Sequence, residues 1–203
     1  MKPSYIRIPL FLLFTGLTLL ASNAAIAAKK ELRLTPLQNF NFIETKKNGF
    51  LLIELATTSA ASSLEISRLD KKADNYTYTI GRRLRTDYSV NLKNLNNGFY
   101  VADIPAGLYQ IKEVTAPLYN LPYRIQTDGR RIWRVSIEEA HINYAGRLKI
   151  EQERSVNAID VGLINRFSQS LPELTQHLEK ASVQTPLRIG LGYRDDFYQE
   201  LQQ

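Results

Sequence analysis

The chain of 203 residues contains no cysteine. That absence excludes disulfides, thiolate metal sites, iron–sulfur clusters, a catalytic thiol and a lipidated N-terminal cysteine. Histidine is scarce as well: His141 and His177 are the two in the chain, too far apart for a His-x-x-x-His pair. No Gly-x-Ser-x-Gly motif occurs, so neither zinc nor serine hydrolysis has a signal in the sequence. Glycine and proline are modest at 10 and 8, against 44% hydrophobic and 23% charged residues. Collagen-like, low-complexity and wholly disordered chains are excluded by that balance. Beyond the first 28 residues, no stretch approaches the roughly 18 apolar residues that a membrane helix needs.

What is present begins with a targeting pattern. Lys2 and Arg7 form a short positive region, Ile8 to Ala21 is almost wholly apolar, and Ser22 to Ala28 is small and polar with an Ala-x-Ala match at Ala25-Ile26-Ala27. This reads as a secretory signal peptide over residues 1–28, cleaved after Ala27 or Ala28. A retained anchor fits less well, because roughly 14 apolar residues reach only about 21 Å across a hydrocarbon core of about 30 Å. Removing residues 1–27 leaves 24 Lys and Arg against 20 Asp and Glu. That mild basicity is no signature of a nucleic-acid partner. An exported chain without disulfides must be held by its core alone, a style of bacterial envelopes, so the expected location is periplasmic or secreted.

From Lys29 onward, turn signals separate short strand patterns. Gly49 to Leu55 is apolar at both parities with only Glu54 breaking it, the pattern of a strand buried on both faces. Ser63 to Leu69 and Tyr76 to Ile80 alternate. Asn96-Asn97-Gly98 is a turn that opens a strand over Phe99 to Asp103, and Pro105-Ala106-Gly107 turns the chain into Leu108 to Val114. Tyr123 to Thr127 and Arg131 to Ile137 flank Asp128-Gly129 as a hairpin, with Trp133, Val135 and Ile137 on one face. Ile142 to Glu151 and Val156 to Val161 complete about nine strands of an antiparallel sandwich over residues 29–162. In residues 163–203, Leu171, Leu174 and Leu178 fall at helical spacing behind Ser170-Leu171-Pro172-Glu173, predicting a short helix to Ala181 capped by Ser170. A second short helix is expected near Asp195 to Leu201.

The segment Gly98-Phe-Tyr-Val-Ala-Asp103-Ile-Pro-Ala-Gly107-Leu-Tyr109-Gln-Ile-Lys-Glu113 resembles a signature of prealbumin-like sandwich modules. These include carboxypeptidase regulatory-domain-like modules and collagen-adhesin B-type repeats. Ile142 to Leu148, followed by the Leu-Pro-Glu-Leu stretch, resembles uncharacterised bacterial exported sandwich proteins of the same type. The resemblance spans about residues 48–180 and implies a mainly β, antiparallel prealbumin-like sandwich with a C-terminal helical segment. Such modules bind sugars or proteins. In the adhesin repeats the Glu after the Tyr strand can assist a Lys-to-Asn isopeptide bond; Glu113 stands in that place, with Lys46, Lys47 and Asn165 as possible partners by position only.

Few residues carry chemistry. His141 beside Glu138-Glu139, His177, Gly190-Leu191-Gly192 and Asp195-Asp196 each have a plain structural reading. Two basic clusters stand out: Arg82, Arg83 and Arg85, and then Arg131, Trp133 and Arg134 with Arg124 and Arg130 beside them. If adjacent in space they would form an arginine and aromatic patch for phosphate, carboxylate or anionic glycan groups. The expected role is a non-enzymatic envelope module that contacts another envelope protein, or else a carbohydrate- or anion-binding accessory protein using Trp133 and exposed tyrosines for stacking. No cofactor, metal or nucleic acid is implied. N-terminal sequencing of the protein recovered from a bacterial periplasm checks the targeting reading: the expected first residue is Ala28 or Lys29, and a protein beginning at Met1 in the membrane fraction would overturn it.

Overall fold

The structure is a computed structural model that describes residues 29–43, 46–57, 62–72, 75–77, 86–118, 121–153, 155, 158–181 and 183–191. The expected signal peptide, Tyr78 and Ile80 of an expected strand, the cluster Arg82, Arg83 and Arg85, and the expected terminal helix lie outside those residues.

Thirteen strands and one α-helix form among the described residues. They are β1 (Lys30–Glu31), β2 (Thr35–Pro36), β3 (Asn48–Thr57), β4 (Ser63–Lys72), β5 (Asn75–Thr77), β6 (Tyr88–Asn91), β7 (Gly98–Pro105), β8 (Gly107–Leu118), β9 (Leu121–Gln126), β10 (Arg134–Ile137), β11 (Ile142–Glu153), β12 (Ala158–Ile164), α1 (Phe167–Lys180) and β13 (Leu187–Ile189). The first sheet runs β1-β6-β4-β8-β10, with β5 on β4 and β9 on β8; the second runs β12-β11-β3-β7-β2, with β13 on β11. The fold is mainly β, as the alternating patterns require. The sheets are mixed rather than purely antiparallel: β3 pairs in parallel with β11, β1 with β6, and β13 with β11. Parallel neighbours need a long crossover, and the path from β3 to β11 runs through β4 to β10, which includes every strand of the first sheet except β1, and β7 of the second.

β3 explains the layering. Leu51, Ile53 and Leu55 point into the core between the sheets, while Phe50 and Leu52 lie under α1 with Leu174 and Leu178. The strand is therefore buried on both faces, as its unbroken apolar run predicts. Two tyrosines fix the turns at either end of β7: Tyr100 donates its hydroxyl to the Asn96 carbonyl at 3.0 Å, and Tyr109 to the Pro105 carbonyl at 2.6 Å. Each is a tyrosine corner, tying a strand to the backbone just upstream.

Two expectations are corrected. Tyr123 to Thr127 and Arg131 to Ile137 form no hairpin with one another; β9 pairs with residues 113–118 of β8, and β10 with residues 107–110 of the same strand. Between them residues 127–133 leave the ladder, and the Gln110 side chain fills the gap. Its Nε2 donates toward the carbonyls of Thr127 and Ile111 at 3.0 Å, and its Oε1 accepts from Arg134 Nε at 3.1 Å. The helix starts before Ser170, because Asn165 Oδ1 accepts the Phe167 backbone N–H at 3.3 Å and sets the first turn there. Pro172 thus lies inside α1 on its exposed side, Leu171 is exposed, and the Ser170 side chain faces the sheet instead of capping.

Close backbone approaches fall at glycines. A Cβ on Gly49 would sit 2.1 Å from the Glu138 carbonyl oxygen, at the corner where β10 turns into β11. At Gly190 it would meet the Ser136 carbonyl oxygen at 2.9 Å, where residues 187–191 bridge β11 to β10 and join the sheets along one side. At Gly162, on edge strand β12, it would meet only Ile164 Cγ1 at 3.8 Å. Urea unfolding should separate these sites: Gly49→Ala is expected to destabilise by about 2 to 4 kcal/mol through overpacking against backbone, and Gly162→Ala to change stability by less than about 1 kcal/mol.

Candidate functional site

Of the expected arginine and aromatic patch, Arg124, Arg130, Arg131, Trp133 and Arg134 are among the described residues. Arg131 is exposed at the 3-10 turn Arg131–Trp133, and Arg134 is partly buried against Gln110 on the outer face of the first sheet. Trp133 is 2% exposed and belongs to the core with Val135 and Ile137. Its placement on their face is right, but that face points inward, so Trp133 has no surface on which a sugar could stack. Arg124 is exposed beside Glu113 at 3.8 Å. Arg82, Arg83 and Arg85 lie outside the described residues.

Among the described residues the most enclosed charged cluster centres on Glu54, legible in the sequence only as the break in an apolar strand. Glu54 is 6% exposed, on the helix-facing side of β3, directly beside its cross-strand partner Arg147 on β11. Arg147 donates to Oε1 through Nε at 2.6 Å and through Nη2. Ser170 donates its hydroxyl to Oε2 at 2.7 Å and Tyr144 at 3.0 Å. Burial pushes the Tyr144 hydroxyl well above the usual tyrosine range, and the neighbouring Glu54 charge pushes it further. Tyr144 therefore stays a proton donor to Glu54. Four donors from β11 and α1 close the carboxylate, leaving it paired on both oxygens.

Other titratable groups are used at the surface. Burial works against ionising Glu65, but hydrogen bonds from Lys29 at 2.5 Å and Thr86 at 2.6 Å outweigh it and hold the carboxyl below its usual range. Glu113, on the outer face of the first sheet, accepts from Gln126 and from Thr115 at 3.1 Å. Lys46 and Lys47 immediately precede β3 and Asn165 opens α1, on the side of the second sheet, whereas Glu113 lies on the outer face of the first. His141 Nδ1 approaches the Glu139 carbonyl at 2.8 Å and His177 packs edge-on to Phe99. Among the described residues no group of three or more His, Cys, Asp and Glu side chains is placed to hold a metal ion.

Three concavities lie among the described residues. A void of about 20 Å³ inside the core is lined only by apolar and tyrosine side chains such as Leu34, Ile53 and Ile104, and is a gap in packing rather than a site. A groove of about 370 Å³ runs between Phe40-Asn41-Phe42 and Ala181 to Thr185, with no charged residue in its lining. A cleft of about 190 Å³ is lined by Lys30, Arg68, Asp87, Tyr88 and Tyr109. It alone of the three gathers charge.

No family model, curated protein or solved structure matches the chain. Among the described residues no helix is long and apolar enough to cross a membrane.

The Glu54 cluster makes two measurable statements. Arg147→Met should cost about 3 to 5 kcal/mol, because it leaves the buried Glu54 carboxylate without its cation, whereas Glu54→Gln, which keeps an acceptor oxygen and leaves a partly exposed Arg147, should cost less. The raised Tyr144 carries a sign: its extra stabilisation is complete below the unfolded tyrosine value near 10 and is lost as pH rises above it. Between pH 10 and 12 the stability of the protein should fall with a component of about 1.4 kcal/mol per pH unit that Tyr144→Phe removes.

Proposed function

We propose that the chain is an exported, non-enzymatic module of prealbumin-like β-sandwich type that binds another component of the bacterial envelope. The observation that carries this reading is the use made of buried charge. Glu54, the most enclosed carboxylate, spends both oxygens on Arg147, Tyr144 and Ser170 and holds a helix to a sheet. A general acid or base needs an oxygen within reach of a substrate proton, and that carboxylate has none.

The prealbumin-like assignment is supported by the signature's physical roles. Pro105 ends β7, Gly107 lets the backbone lie against the Arg68 guanidinium, and Tyr109 returns to the Pro105 carbonyl. Export is supported by the pattern over residues 1–28 and by a chain that folds without cysteine. On the outer face of the first sheet, exposed Arg130 and Arg131 with partly buried Arg134 give a basic surface suited to an acidic partner. A second reading, an anion-binding accessory protein, is favoured by the cleft at Arg68.

Crosslinking inside living bacteria that export the full chain tests the module reading. The expected result is a discrete envelope protein joined to the chain and lost from the Arg130→Glu/Arg131→Glu variant, whose two exposed changes reverse the local charge. An exported protein with no crosslinked partner, or one whose partner is indifferent to the reversal, would refute binding through this surface.

A further inference from the structure

The cleft at Arg68 is built by the inner face of the first sheet. Cross-strand register places Lys30, Tyr88, Ile66 and Ile111 in one row, and Arg68, Tyr109 and Val135 in the next. Ile66, Ile111 and Val135 belong to the core. At their outer ends the same rows carry Lys30 and Arg68, so two cations stand where an apolar face meets solvent.

The guanidinium is held in place. Arg68 Nη2 donates to the Ala106 carbonyl at 2.7 Å, and a Cβ on Gly107 would sit 2.6 Å from Arg68 Nε, so the glycine provides the space that the side chain occupies. Asp87 Oδ2 accepts the Arg68 backbone N–H at 2.8 Å, and the Asp87 carbonyl accepts the Lys30 backbone N–H at 3.1 Å. Neither the Lys30 ammonium nor the rest of the Arg68 guanidinium is paired with another described residue. A partly buried arginine fixed at one nitrogen keeps the remaining donors of its fork oriented for an incoming group.

We infer that this cleft binds a single sugar acid, through its carboxylate on Arg68 and Lys30 and a hydroxyl on Asp87. The inference rests on reading the chain as a binding module and names a ligand class for one of its sites. A planar guanidinium and an ammonium lining one cleft match a carboxylate. Asp87 opposes a dianion such as phosphate, but its Oδ1 accepts from a sugar hydroxyl, and partly exposed Tyr88 offers an aromatic edge or face to ring C–H groups. A cleft of about 190 Å³ has room for one monosaccharide unit.

Titration of the ¹⁵N-labelled full chain with sodium D-glucuronate, and in parallel with D-glucose, tests this by NMR. Glucuronate should give saturable shifts at the amides of Asp87, Tyr88, Gly107 and Leu108 and at Arg68 Nε, with Kd about millimolar, and glucose should give none. Lys30→Ala, an exposed change, should weaken binding about fivefold, and Arg68→Lys, which keeps the charge but loses the fork, about tenfold or more. Absence of saturable shifts, an equal response to glucose, or affinity unmoved by Lys30→Ala would overturn the inference. Should Arg68→Lys fail to fold, Lys30→Ala and the glucose control decide alone. A crosslinked envelope partner without a glucuronate response would refute the sugar-acid site and leave the module reading standing. A glucuronate response without a partner would do the reverse.

Discussion

The seating of α1 on the second sheet depends on the Glu54 carboxylate being fully paired. An ionised carboxylate moved out of water loses several kcal/mol of solvation, and only near-ideal donors recover it. Here the donors come from β11 and from α1, so the sheet register that sets Arg147 beside Glu54 and the helix rotation that turns Ser170 downward must hold together. An apolar residue at position 54 would pack against many helix rotations. The carboxylate accepts one, which is how a buried ion pair contributes specificity even where its net stabilisation is small.

Two buried carboxamides do comparable work where backbone leaves the ladders. Gln110 fills the break between β9 and β10, and Asn143 accepts from the Glu138 N–H at 2.9 Å while donating toward the His141 carbonyl at 2.8 Å, fixing the corner between β10 and β11. Both are fully buried. Irregular backbone inside a sandwich exposes carbonyls and N–H groups that water cannot reach, and an amide side chain with two donors and an acceptor is the least bulky group that satisfies several of them. The same requirement accounts for the glycines at 49 and 190, where backbones meet without room for a Cβ.

Much of this was legible in the sequence, and the remainder was not for definite reasons. Strand positions followed from alternation, and the double burial of β3 followed from its apolar run, because both signals are local. Parallel pairing of β3 with β11 leaves no local trace, since either direction gives the same pattern of burial. The hairpin assigned around Asp128-Gly129 failed because the turn signal was real while both flanking segments had a better common partner in β8. Ser170 read as a cap because Glu173 follows at the right spacing, yet its hydroxyl found a charged acceptor in Glu54, a stronger bond than a backbone N–H offers. Of the candidate site, the sequence made Arg131 and Arg134 visible as a charge cluster. It hid Arg68, which stands alone in an alternating strand and becomes notable only when register sets it beside Tyr109 and Lys30.

The period of a strand also decides what the two sets of arginines can share. Arg134 pairs with Gln110 on β8, and Arg68 pairs with Tyr109, the adjacent residue of that same strand. Successive side chains of β8 point to opposite faces, so Arg134 belongs to the outer face and Arg68 to the inner one. The protein thus carries two cationic surfaces separated by the thickness of a sheet. The outer surface is open, so a charged contact made there would weaken with salt. The inner one is a cleft lined by a fixed guanidinium and the Asp87 carboxylate, where the proposed sugar acid would be selected by geometry.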